Sequence, residues 1–140
     1  MKPLRITTEQ ALYLLAFLLS LGLRWLRLGA APLGEFEAGW ALQALQLSRG
    51  EQVTLGPGPA YALLTGLAFF VLGNSNAIAR LWPALVGSVL VFLPYLFRAK
   101  IGRAAALIAA FGLAVDAGLV AASRLSGGPM LALGFGLLAL

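Results

Sequence analysis

Long apolar runs separated by short polar stretches set the pattern of this chain. Residues 1–10 are polar and carry Lys2 and Arg5; residues 11–23 are apolar apart from Ser20; Arg24 and Arg27 follow, with Trp25 between them. Counted from 11 to 28 the run makes about 27 Å of helix, with Arg24 and Arg27 snorkelling to the interface. A cleaved signal peptide is the competing reading, with a weak cut at Leu28-Gly29-Ala30, but two arginines between apolar core and cut are unusual for one. Residues 35–49 read as an amphipathic helix. Glu35, Gly39, Gln43, Gln46 and Arg49 share one face; Phe36, Trp40, Ala44 and Leu47 share the other. Glu35 suits the positive end of the helix dipole, and Gly50 is placed to end the helix.

Gly56-Pro57-Gly58-Pro59 is a rigid turn, and Pro59 can take the first helical position. Residues 60–72 are apolar and Gly73 closes them. At about 20 Å this helix is short for a span and predicts a re-entrant or interfacial segment. Residues 77–97 give about 31 Å, with Arg80 one turn in and Pro83 and Pro94 inside. The densest basic cluster, Arg98-Ala99-Lys100-Ile101-Gly102-Arg103, comes next. Residues 104–122 give about 28 Å, and Ala114, Gly118 and Ala122 form a small-residue ridge suited to close helix packing. A short loop at 123–129 holds Arg124, and residues 130–140 begin a further, incomplete span, so the chain reads as the start of something longer.

Composition turns this pattern into a membrane protein. The 140 residues are 61% hydrophobic and 11% charged, with a mean hydropathy of +0.93. A soluble domain of this size could not hide that much apolar surface. The absence of Cys and His removes disulfides, thiolate chemistry and zinc sites built on those ligands. The net charge of +5 falls beside apolar runs, which points to topology signals and lipid phosphates, not to nucleic acid. With Lys2 and Arg5 in the cytoplasm, the basic cluster at 98–103 is cytoplasmic only if residues 60–72 do not cross. The expected fold is therefore an all-α integral membrane domain over residues 1–140. It has three full spans at about 11–28, 77–97 and 104–122, a fourth begun at 130–140, and an external loop at 29–76 carrying interfacial helices. The expected location is the plasma membrane, multi-pass, with the N-terminus cytoplasmic and the first loop external.

The order of motifs resembles the N-terminal region of the GT-C membrane glycosyltransferases, in the branch of protein mannosyltransferases and aminoarabinose transferases. The stretches that carry the likeness are Phe36-Glu37-Ala38-Gly39-Trp40, Gly58-Pro59-Ala60-Tyr61 and Leu72-Gly73-Asn74-Ser75. Arg80-Leu81-Trp82-Pro83-Ala84-Leu85-Val86-Gly87, Gly102-Arg103 and Ser123-Arg124 continue it. The resemblance implies transfer of a sugar from a polyprenyl-phosphate donor at the external face. A loop carboxylate would take the acceptor's proton, and cations or a divalent metal would take the charge of the departing phosphate. It makes Glu37 and Glu35 the candidate catalytic acids. This chain departs from the family pattern at both external Asp positions, which fall on Phe36 and Pro129.

The residues themselves leave alternatives open. Glu37 is either a first-turn carboxylate or one aimed into a cavity. Asp116, inside an apolar run, is a functional carboxylate or a packing residue that is protonated or paired with Arg80 or Arg124. Arg80 and Arg124 suit lipid-phosphate clamps as well as ordinary interfacial arginines. Tyr61 and Trp40 are interface anchors or sugar-stacking platforms. The expected partners are a polyprenyl-phosphate-linked sugar and membrane lipids. The competing function is a non-catalytic membrane partner or lipid-binding scaffold that keeps the same shape. A transporter is a weaker third reading, with no internal repeat to support it.

Overall fold

A computed structural model describes residues 7–127 and 129–138. Among them every regular element is helical and there is no strand. Helix α1 spans Thr8–Trp25, α2 Glu35–Ser48, α3 Pro59–Leu72 and α4 Asn76–Ala79. Helix α5 spans Leu81–Ile101, with a 3-10 turn at Leu90–Phe92. Helices α6, α7 and α8 span Arg103–Val115, Ala117–Ser123 and Pro129–Leu138. Lys2 and Arg5, which fixed the expected topology, lie outside the described residues, as do Gly128, the side chain of Pro129 and the last two residues of the expected fourth span.

Local chemistry sets most of these boundaries. Thr7 opens α1 with a capping box: its hydroxyl accepts from the Gln10 N–H at 3.3 Å, and the Gln10 side-chain Oε1 accepts from the Thr7 N–H at 3.0 Å. Gly50 follows α2 at φ +74°, and Gly73 ends α3 at φ +86°, a region costly for side chains other than glycine. Pro59 starts α3, where its missing N–H is no loss. Pro83 lies in the first turn of α5 and Pro94 directly after the 3-10 turn, so neither disrupts a regular ladder.

Helices α1, α5 and α6 run side by side with alternating direction. At one end Glu9 of α1 meets Arg98 of α5 at 3.4 Å and Arg103 of α6 at 3.8 Å, and Tyr13 packs edge-on against Tyr95. At the other end Arg24 of α1 reaches the last carbonyls of α6. Helices α2 and α3 pack on each other and sit at this second end. The interior is built from small and polar side chains: Ala16, Ala106, Ala110, Ala114, Ser20, Ser88 and Ser123 are buried. Large apolar side chains face outward, among them Leu15, Leu18, Leu96 and Ile108. A water-soluble domain has the reverse arrangement.

The structure alters several expectations. One described helix, Leu81–Ile101, is long and apolar enough to cross a membrane; α6 and α7 together pass the same test only as a broken span bent by 54°. The expected span at 77–97 begins four residues later because Ser75 caps the separate short helix α4 through the Ile78 N–H, and the chain turns at Arg80. The expected span at 104–122 breaks at Asp116. That residue takes φ −56°, ψ 117°, and its carboxylate accepts from the Leu119 N–H at 2.7 Å as the cap of α7. Helix α1 ends at Trp25, before Leu28, and its ends carry Glu9, Gln10 and Arg24, so it falls short of an apolar crossing helix. The small ridge of the third long segment is Ala106, Ala110 and Ala114, not Ala114, Gly118 and Ala122. Helix α3, at 14 residues, is short as expected.

Close approach at Gly87 locks α5 to the second end. A Cβ there would lie 2.5 Å from the Ser123 Cβ and 3.0 Å from the Arg24 Nε. Gly87→Val should lower stability by about 1–3 kcal/mol through overpacking, whereas Gly22→Ala, with nothing within 4 Å of the added carbon, should not destabilise. Thermal unfolding of the two variants in detergent checks the contrast.

Candidate functional site

Glu37 is the third residue of α2, so its side chain folds back toward the helix start. Its Oε2 accepts from the Gly34 N–H at 3.0 Å, the reciprocal half of a capping box. The same oxygen accepts from Arg80 Nη2 at 2.7 Å, and Oε1 accepts from Arg80 Nε at 2.8 Å. Oε1 also accepts from the backbone N–H of Ser126 at 2.8 Å. Arg80 completes its own set on carbonyls: Leu28 at 3.1 Å, Ala31 at 2.9 Å and Pro32 at 3.1 Å. All five guanidinium N–H groups and both carboxylate oxygens are thereby used. The pair is buried, at 6% and 9% side-chain exposure.

Packing around the pair is equally close. Trp40 lies against Gly58 and Gly127, and added Cβ atoms there would sit 2.9 and 2.3 Å from its ring. Gly127 has φ +64°, so this loop tolerates no side chain on either count. The Trp40 ring meets Tyr61 edge-on at 6.3 Å. The Tyr61 hydroxyl donates to the Ala79 carbonyl at 2.8 Å. The hydroxyls of Thr65 and Ser126 are buried at the same end without a partner among the described residues.

The expected site residues therefore divide. Glu37, Arg80, Tyr61 and Trp40 come together, joined by Ser126. Arg124 lies nearby, but its Nη1 and Nη2 donate to the Leu23, Leu26 and Arg27 carbonyls at the end of α1. Asp116 pairs with neither Arg80 nor Arg124 and is a helix cap. Glu35 is exposed in the first turn of α2 and makes no hydrogen bond to a described residue. Tyr61 is 3% exposed, which makes it an internal strut, neither an interface anchor nor an open platform. Glu37, on the apolar side of α2 by helical spacing, points in with Ala41 and Ala44, whereas Phe36, expected on that side too, is 87% exposed.

Arg24 was expected to snorkel and is instead fully buried. It donates to the Ser20 hydroxyl at 2.6 Å and to the Leu113 and Ala114 carbonyls at 3.0 Å each. Those carbonyls are left open by the break at Asp116, which periodicity along α6 did not reveal.

The Arg80 hydrogen bonds hold the Glu37 carboxyl down at about 2, with the Gly34 and Ser126 N–H groups adding to the effect and burial opposing it. Such a carboxylate is a weak proton acceptor at neutral pH. No three His, Cys, Asp or Glu side chains among the described residues could hold a metal ion together, and Glu37 has no lone pair left for one. No family model, curated protein or solved structure matches the chain.

Because the folded Glu37 titrates below its ordinary 4.5, the stability it contributes is present above about 4.5 and is lost as pH falls through about 2. The difference in stability between wild type and Glu37→Gln should be constant from neutral pH down to that window and shrink within it. Glu37→Ala should cost about 3–5 kcal/mol, since it strands a buried guanidinium. Denaturant unfolding in detergent at stepped pH checks both outcomes.

Proposed function

We propose that the chain is a multi-pass membrane module of the polyprenyl-phosphate sugar transferase type, in which the described residues supply framework and not the proton-abstracting base. The carrying observation is the complete engagement of Glu37. An acid whose two oxygens already accept four hydrogen bonds has no capacity left for an acceptor hydroxyl. This favours the scaffold reading over catalysis by Glu37 within these residues. The transferase likeness draws support from where the motif residues lie: Glu37, Trp40, Gly58, Tyr61 and Arg80 are mutual neighbours, as parts of one external site would be.

Membrane residence is supported by the outward-facing large apolar side chains and by the small-residue contacts between helices, which suit association in lipid. The topology proposed earlier is compatible with the contacts. The Ser126 N–H bonds Glu37, so the 29–76 and 124–127 segments share one end. The basic cluster lies at the other end, beside Glu9. The external face would carry the first group and the cytoplasm the second.

The chain has no cysteine, so single introduced cysteines report topology directly. Thr54→Cys and Leu125→Cys should react with an impermeant thiol reagent from outside intact cells, and Lys100→Cys only after permeabilisation. Labelling of Thr54→Cys and Leu125→Cys from opposite sides would defeat the topology. For catalysis, membranes bearing the full chain should be assayed for transfer from polyprenyl-phosphate sugars. Glu37→Gln should reduce transfer only in step with the loss of folded protein. A folded Glu37→Gln variant of unchanged thermal midpoint with no transfer would reinstate Glu37 as the base.

A further inference from the structure

An open groove of about 570 Å³ lies along α5 and α8. Its walls are apolar, with Val86, Val89, Leu93 and Leu96 on α5 facing Leu131 and Phe135 on α8. From Trp82 to Leu96 it follows α5 for about 21 Å, longer than the roughly 15 Å of one hydrocarbon leaflet. Its far end is basic. Lys100 lies one turn beyond Leu96 and two beyond Leu93, on the same helix face. Tyr95 also lines the groove, and the Arg98 guanidinium stacks on its ring at 3.8 Å.

The charges around that end do not balance. The chain has five carboxylates, and Glu9 is the one placed there, engaged with Arg98 and Arg103. Lys100 makes no ion pair with a described residue, and residues 129–138 carry no charge. An occupant apolar along its length and anionic at its head matches both the walls and the basic end.

We propose that this groove holds one acyl chain of an anionic phospholipid, with the lipid phosphate on Lys100 and Arg98. Its basic end lies at the opposite end of the bundle from the Glu37–Arg80 cluster. It rests on the membrane reading above but not on sugar transfer. Charge and groove act together: cations alone would hold a free phosphate without a chain, and the groove alone would accept any lipid tail.

The test uses the full chain in detergent, titrated with phosphatidylglycerol or with phosphatidylcholine of the same acyl chains and read by native mass spectrometry. Wild type should retain one phosphatidylglycerol in preference to phosphatidylcholine. Lys100→Gln, which breaks no hydrogen bond or ion pair with a described residue, should lower phosphatidylglycerol retention about five-fold, and adding Arg98→Gln should lower it by a similar factor again. Phosphatidylcholine retention should not change. Val89→Trp, placing a ring in the groove, should reduce retention of both lipids. Equal retention of the two lipids by wild type, or indifference to Lys100→Gln or to Val89→Trp, overturns the site. Flotation with vesicles of either lipid is scored separately: a chain that fails to float overturns the membrane reading, whereas one that floats but shows no lipid preference overturns this site alone.

Discussion

The bidentate contact between Glu37 and Arg80 ties together three stretches of chain that are remote in sequence, around residues 28–37, 80 and 126. Arg80 gathers the carbonyls between Leu28 and Pro32, and Glu37 gathers the Gly34 N–H and the Ser126 N–H. Burying two charges costs several kcal/mol per ion, and attraction offsets this only when the remaining donors and acceptors are also satisfied. Here they are, and that satisfaction decides the local fold. It turns Glu37 inward on α2, leaves Phe36 exposed, and holds the loop at Ser126 and Gly127 over Trp40.

Arginine bonded to backbone carbonyls recurs at two other positions. Arg24, from the last turn of α1, occupies carbonyls at the end of α6. Arg124, after α7, occupies carbonyls at the end of α1. Helix C-termini leave four carbonyls without partners and carry partial negative charge, so a guanidinium suits them on both counts. Two interhelical junctions at one end of the bundle are thus closed by arginine on backbone alone. Those two need no matching acid, in keeping with a chain that has twice as many basic residues as acidic ones.

Features governed by near neighbours were legible in the sequence. Gly50, Gly73 and Pro59 mark boundaries through their own backbone preferences, and the shortness of α3 follows from counting between them. Contacts between distant segments were not legible. Periodicity placed Phe36 on the buried face beside Trp40 because it weighs hydrophobicity alone; Trp40 does pack inward, but the method has no means to register an arginine 43 residues from Glu37. Asp116 looked like a charge inside a continuous helix, although short polar side chains that can cap a new helix also tend to end the old one. Arg24 was assigned to the interface because its acceptors are carbonyls, which any residue could supply.

The acceptors of Arg24 also carry an implication for how the chain is made. Ala114 lies 90 residues after Arg24. At a synthesis rate of about 5–20 residues per second, that separation is about 5–20 seconds. Throughout that interval the first helix has emerged while two of the carbonyls that will receive its guanidinium have not been synthesised. Of its observed acceptors, only those on Ser20, within its own helix, exist from the start. The first helix must spend that time where water or another transient partner solvates the charge. Its final seating is then set by the arrival of the helix at Arg103–Val115, not by its own hydrophobicity.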